Sequence, residues 1–313
     1  MDFHHIPVLF AESISSLCIK SNGIYVDCTA GGGGHSGEIA SRLTGGRLIC
    51  IDRDPQAVAV LKEKFASNPA VTVVHDNFFN IKHILYTLGI EKVDGILADL
   101  GVSSHQLDDA ARGFSFHADA PLDMRMSLEG MTGACAVNTL SEQELRRIIY
   151  EYGEEKFAPS IARAIVKARQ EKPVETTKAL SDIISSAMPA AARRNGHPAR
   201  RTFQAIRIYV NGELDGLGQA VGDMFDCLLD GGRLSIITFH SLEDRAVKNA
   251  LHLLVQGCTC PKSFPVCVCG KTAAARVLKA ASPSSEEVEL NPRSRSAKLR
   301  TAEKLHEREK DNG

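Results

Sequence analysis

A chain of 313 residues, 43% hydrophobic and 24% charged, is long enough for about two globular domains with sizeable cores. Its net charge of −1 excludes a global positive field as the means of holding nucleic acid, so any such contact must come from local patches. No basic stretch precedes an apolar run at the N-terminus and no apolar run approaches bilayer-spanning length, so a cytoplasmic protein that does not engage membrane is expected.

The N-terminal His4 and His5 either line a site or, as favoured, are surface residues or residues at the entry to a short helix over 9–18. A first strand over 23–27 ends in Asp27 and is followed by Gly31-Gly32-Gly33-Gly34-His35-Ser36-Gly37 and a helical run. Glycines permit positive φ and close approach to a ligand, and a helix start offers free N–H groups. The near-continuous apolar run 47–52 reads as a second strand, covered on both faces and ending in Asp52. Asp54-Pro55 then opens a helix, since Asp caps well and Pro suits the first turn. A third strand over 71–75 leads into Asp76-Asn77-Phe78, and a helix over 81–88 precedes a fourth strand, 93–99, ending in Asp99. Four β–α units in succession predict an α/β fold with a parallel, doubly wound, Rossmann-like sheet.

Ligands of such sheets bind beyond the carboxyl ends of the strands. Asp52, about 20 residues past the glycine turn, suits ribose hydroxyls. The glycines match G-x-G-x-x-G, which leaves a dinucleotide such as NAD open. Asp27 at the end of the first strand would repel a pyrophosphate, whereas S-adenosylmethionine carries a sulfonium and an ammonium that a carboxylate favours. Phe78, with Asn77, offers an aromatic face to adenine. On charge, the methyl donor leads.

The next convincing strand, 232–239, comes more than a hundred residues later. The interval is helical in pattern, with candidate helices over 142–150, 157–169 and 177–187, the first opened by Ser141 and Glu144 in capping-box spacing. It is long enough for its own core, so residues 107–209 are expected to form an inserted α-helical domain, with 1–106 and 210–313 forming the α/β domain. From 183 to 212 there is no acid but there are Arg193, Arg194, Arg200, Arg201 and Arg207, which suit phosphate contacts on RNA. The loop 108–126, with Arg112, Phe114, Phe116 and Arg125, follows Asp99 and is expected to close over a target base.

A helix over 212–229 leads back into the sheet. His240 follows the last strand and either faces the site or precedes a helix capped by Ser241. Cys18, Cys28, Cys50, Cys135 and Cys227 read as buried thiols. Cys258, Cys260, Cys267 and Cys269 match a tetrahedral zinc site in number but not in the usual C-x₂-C spacing, and no metal is assigned. The basic stretch 291–300 either contacts RNA or docks on the sheet edge.

Several strings resemble the MraW (RsmH) family of bacterial 16S rRNA cytosine-N4 methyltransferases: 27–36, 51–55, 99–108, Gly113-Phe-Ser-Phe, 121–126, 197–211, 239–245 and 291–300. The match is in order and nearly end to end. The resemblance implies a class I methyltransferase that uses S-adenosylmethionine to methylate a cytidine of 16S rRNA in the small ribosomal subunit, at decoding-centre position 1402 in the usual rRNA numbering. It implies donor contacts from Gly33, Gly34, His35, Asp52, Phe78, Asp99 and Gln106. Asp52 and Phe78 are favoured by the residues themselves; His35 otherwise reads as a capping or surface histidine. Asp99 is the candidate catalytic carboxylate, although Asp99-Leu-Gly-Val departs from the D/N/S-Pro-Pro-aromatic string of many amino-methyltransferases. No obligate protein partner is expected. The readings from other classes are an NAD-dependent dehydrogenase and a non-catalytic RNA-binding factor.

Overall fold

The computed structural model describes residues 7–192, 196–257, 260–261, 264, 266, 268–270 and 272–306. His4, His5, Arg193, Arg194, Cys258 and Cys267 lie outside the described residues, and so do the readings made of them. The chain forms two compact units, Met1–Gly101 with Gly216–Gly313, and Val102–Asp215.

The first unit alternates helix and strand: α1 (Phe10–Ser16), β1 (Ile24–Asp27), α2 (Gly34–Ser41), β2 (Arg47–Asp52), α3 (Pro55–Lys64), β3 (Val71–His75), α4 (Ile81–Thr87) and β4 (Val93–Asp99). The second unit holds α5 (Ser104–Asp108), α6 (Gly133–Thr139), α7 (Glu142–Glu151), α8 (Ala158–Glu171), α9 (Thr177–Ala187) and α10 (Arg200–Asn211). The chain then returns through α11 (Leu217–Asp226), β5 (Leu228–Thr238), α12 (Ser241–Val255), β6 (Ala275–Val277), α13 (Ser285–Leu290) and β7 (Lys298–Lys304). No helix of the described residues is long and apolar enough to cross a membrane.

The seven strands lie in the order β3-β2-β1-β4-β5-β7-β6. The first five are parallel, and β7 runs antiparallel to both β5 and β6. This is the doubly wound, Rossmann-like sheet expected of the sequence, closed by an antiparallel strand. Register brings the carboxyl ends together: Asp27 pairs with Cys50 and Leu97, so Asp52 and Asp99 lie two residues beyond it on either side. Leu48 to Ile51 are fully buried, which explains the unbroken apolar run, and each such side chain stabilises by roughly 1.5–3 kcal/mol. The buried ring of Tyr25 crosses β4 where a Cβ on Gly95 would lie 2.8 Å from it, so only glycine fits there. Its hydroxyl accepts from Lys20 N at 2.7 Å. Val8 and Leu9 pack with Ala297 and Leu299, and Leu9 N donates to Glu287 Oε1 at 2.7 Å, so late residues fasten the N-terminal segment.

The second unit packs around Leu122, Met124, Ile148, Ile161, Leu180 and Phe203. It is wider than the expected 107–209 for a packing reason. Val102 and Leu107 at one end and Tyr209 and Val210 at the other pack on this core, and Asn211 donates to Met124 O and accepts from Met126 N. The loop 108–126 is part of the same fabric and not a free lid. Phe114 is buried in the core, buried Arg112 donates to Arg125 O and Met126 O, and Arg125 grips Asp123.

Two further expectations are corrected, and one of two open alternatives for the basic stretch is borne out. The returning helix spans Leu217–Asp226 and not 212–229, because Gly212 and Gly216 adopt left-handed φ of 58° and 81° and break it. Cys28, Cys50 and Cys227 are buried, but Cys18 and Cys135 are exposed: Cys18 sits past the end of α1 at a φ of 47°, accepting from Arg233, and Cys135 lies on the outer side of α6. The basic stretch docks on the sheet at its end, since β7 pairs with β5 and Arg300 grips Asp244 at 2.7 Å and 3.0 Å.

Candidate functional site

The turn after β1 is tied to three strands. Asp27 Oδ2 accepts from Ser36 Oγ at 2.6 Å and Oδ1 from Thr29 N at 3.2 Å, which closes the turn on the start of α2. Asp52 at the end of β2 accepts from Gly31 N at 2.7 Å and from Asp54 N at 2.8 Å. Thr29 Oγ1 accepts from Asp99 N at 2.6 Å, joining the turn to β4. Lys64 Nζ donates to the carbonyls of Gly33 and Gly32 at 2.7 Å and 3.2 Å. Gly31 and Gly33 have φ of 51° and 72°, the left-handed region that costs other residues about 1–2 kcal/mol. Gly33 is the N-cap of α2, and a Cβ on Gly34 would lie 2.5 Å from Pro7 Cγ, so backbone replaces side chain along this rim.

His35, which on its own residue type reads as a capping or surface histidine, is buried at the start of α2. Its Nδ1 lies 3.9 Å from Asp99 Oδ2, and its ring is 5.6 Å from that of Phe10, a neighbour that no sequence pattern announced. Phe78 opens a 3-10 turn after β3, capped by Asn77, and stands edge-on to Phe79 at 4.8 Å. Each oxygen of Asp52 accepts one N–H, which leaves lone pairs for a diol.

Burial dominates the titration of the three strand-end carboxylates. Burial pushes the Asp27 carboxyl up to about 6, with Asp52 adding to it. Burial also raises Asp52. Asp99 is pushed well above the usual carboxylate range, by burial first and then by the charges of Asp27 and Glu243. Asp99 Oδ1 is buried and makes no hydrogen bond. Glu243 is itself buried and accepts from Phe239 N at 2.9 Å, close to Gly101 just past β4. A cation placed here restores the ionised carboxylates, whereas a phosphate adds a further repulsion.

His240, and not Ser241, caps α12: its Nδ1 accepts from Glu243 N at 3.4 Å. Its Nε2 lies 3.0 Å from Glu243 Oε1 at an angle that makes no hydrogen bond. The S-x-x-D pattern at 241–244 misplaced this cap by one residue.

In the second unit, Gln106 is buried at the third position of α5, where it and Ser103 form a capping box: Gln106 Oε1 accepts from Ser103 N at 3.1 Å. The S-x-x-Q spacing carried that signal. Arg200 and Arg201 are exposed on α10, and Arg201 Nη1 donates to Glu154 O at 3.0 Å. Arg207 departs from the expected RNA-facing set. Its guanidinium forks onto Glu213 at 2.8 Å and 2.8 Å, with side chains only 18% and 7% exposed, so it braces the end of α10. The acid lies just outside the acid-free window, which is why the window concealed it.

The MraW methylase family model matches residues 2–305. A ribosomal RNA small subunit methyltransferase H of Clostridium botulinum (strain Kyoto / Type A2) is 55% identical over 309 residues, covering 97% of this chain and 100% of that protein. The protein of the same name from Brevibacillus brevis is 53% identical over 311 residues, covering 97% and 99%. Among solved structures, an rRNA methylase from Streptococcus thermophilus aligns over 97% of this chain and 100% of its own, at 11% identity and a TM-score of 0.42.

Proposed function

Because this chain belongs to the MraW methylase family, we propose that it is an S-adenosylmethionine-dependent rRNA methyltransferase acting on the N4 amine of a decoding-centre cytidine in 16S rRNA of the small ribosomal subunit. The observation that carries the choice of cofactor is the clustering of Asp27, Asp52 and Asp99, all with raised pKa, around a glycine turn. That donor set fits a ligand bearing sulfonium and ammonium charges and opposes a pyrophosphate.

When bound, S-adenosylmethionine supplies an electrophilic methyl group on a sulfonium. Asp52 accepts from the ribose hydroxyls through the lone pairs left by Gly31 and Asp54. Phe78 packs on adenine. Gly33 and Gly34 let the backbone come close, and His35 with Asp99 lines the end of the site at β4. Gln106 is retained as a donor contact on the family resemblance alone.

The lone pair of a cytosine amine is delocalised into the ring, so N4 is a poor nucleophile. We assign Asp99, whose side chain is 24% exposed, to correct this as an acceptor for an N4 hydrogen once a cation holds the carboxylate ionised. Orientation supplies most of the remaining acceleration. The base must be splayed from its stack to reach a strand-end site. Arg200 and Arg201, together with Arg193 and Arg194, are assigned to phosphates.

The test is tritium transfer from S-adenosylmethionine to purified small subunits, with mass mapping of the modified base. One methyl on a cytidine N4 is expected. No transfer under saturating donor would instead favour an RNA-binding factor, and calorimetric binding of NAD without S-adenosylmethionine would overturn the donor.

A further inference from the structure

The second unit carries a groove that none of the foregoing uses. It lies along the outer side of α7 and the start of α8, holds about 490 Å³, and is lined by Arg146, Arg147, Tyr150, Glu151 and Lys156. The helix pattern dictates this face. Leu145, Ile148 and Ile149 are buried in the core, which turns Arg146, Arg147 and Tyr150 outward.

Tyr150 is 64% exposed. An isolated exposed aromatic needs no explanation, but this one stands among cations. Arg147 is held by Glu151 at 2.9 Å. Arg146 and Lys156 are exposed and have no ion-pair partner among the described residues. Two further exposed arginines lie past the groove: Arg201 donates to the carbonyl of Glu154, whose own side chain is exposed, and Arg200 is its neighbour. In a chain of net charge −1 this is the kind of local patch that nucleic-acid binding requires.

We propose that this groove seats a single-stranded segment of the rRNA substrate, with one base stacked on Tyr150 and the flanking phosphates on Arg146 and Lys156. An exposed ring between cations is how proteins hold single strands: the ring takes the base face and the cations track the backbone. A duplex offers no base face to such a ring, which selects a loop or a splayed strand. The inference rests on the proposed function for the identity of the RNA, and extends its contact surface from α10 to α7 and α8.

The experiment uses the whole chain with purified small subunits and compares wild type with Tyr150→Ala, Tyr150→Phe and the double variant Arg146→Ala/Lys156→Ala. All three positions are exposed, and calorimetric binding of S-adenosylmethionine serves as the control for folding. Tyr150→Ala should raise KM for the subunit about tenfold, with kcat and donor affinity unchanged, and Tyr150→Phe should stay near wild type. The double variant should flatten the dependence of log affinity on log salt by about 1.4, two phosphates at roughly 0.7 each. Unchanged KM in both Tyr150→Ala and the double variant overturns the proposal. So does a photo-crosslinker at position 150 that captures a ribosomal protein and not 16S rRNA. If the wild type transfers no methyl, the proposed function falls, while salt-dependent binding of an rRNA fragment by the same variants still decides for or against the groove.

Discussion

Replacing Asp27 with Asn tests the electrostatic reasoning at its base. Asp27 is 2% exposed, and its carboxyl is raised from 3.8 to about 6, chiefly by burial. That displacement corresponds to roughly 3 kcal/mol as an order of magnitude. The folded-state pKa lies above the unfolded one, so between these values the folded state binds more protons. The stability Asp27 contributes is therefore present below about pH 3.8 and lost as pH rises through about 6. Asparagine keeps the acceptor for Thr29 N and turns an amide toward Ser36, whose hydroxyl can rotate to accept. It has no proton to lose. Urea unfolding of both proteins at pH 4, 5, 6 and 7 should show the variant gaining on the wild type by a few kcal/mol across that series. Groups with lowered pKa, such as Asp244 and Glu303, titrate in both proteins and cancel in the difference. A difference that is flat with pH would show that the fold does not distinguish the acid from the carboxylate, and one that falls as pH rises would show that it favours the carboxylate. The case for a cationic ligand would fall in either case.

The same charges predict that S-adenosylmethionine binding expels protons near pH 6 and tightens from pH 5 to 7; calorimetry in two buffers of different ionisation enthalpy reads the release directly. Gly33→Ala should cost about 1–2 kcal/mol, since φ is 72° and the new Cβ meets Leu61 Cδ2 at 3.0 Å, and it should weaken donor binding as well, measured by unfolding and titration together. Glu213→Ala removes the carboxylate onto which Arg207 forks and should cost about 2 kcal/mol of the second unit's stability by the shift in urea midpoint; an rRNA affinity lost in Arg207→Ala before any loss of stability would restore Arg207 to the RNA-facing set.

Much of the first unit was legible because its signals are local. Apolar runs closed by an acid mark β1, β2 and β4, and Asp54-Pro55 marks the start of α3 to the residue. Asp27 was read for its charge alone; its tether to Ser36 was invisible because the partner lies nine residues on, across the glycines. Lys64 gripping the turn carbonyls and Thr29 holding Asp99 N are pairings over 31 and 70 residues, set by register and not by spacing. Arg207 was misread because a charge count over a window sees sign and not geometry. The partial burial of the loop 108–126 escaped notice for a related reason: Arg112 looks solvent-seeking, yet its guanidinium donates to two carbonyls inside the unit.

The fastening of the N-terminal segment by late residues bears on the order in which this protein becomes competent during synthesis. Every acid at the ends of β1, β2 and β4 has been made within the first hundred residues. Pro7, which lies against Gly34, belongs to a segment held by Glu287 and Leu299, and β5 lacks its second neighbour until Lys298–Lys304 has been made. A nascent chain thus carries an open strand edge and an unsecured rim for most of its translation, the condition in which sheets pair wrongly. The rim of the glycine turn is secured only once β7 has been delivered to the sheet.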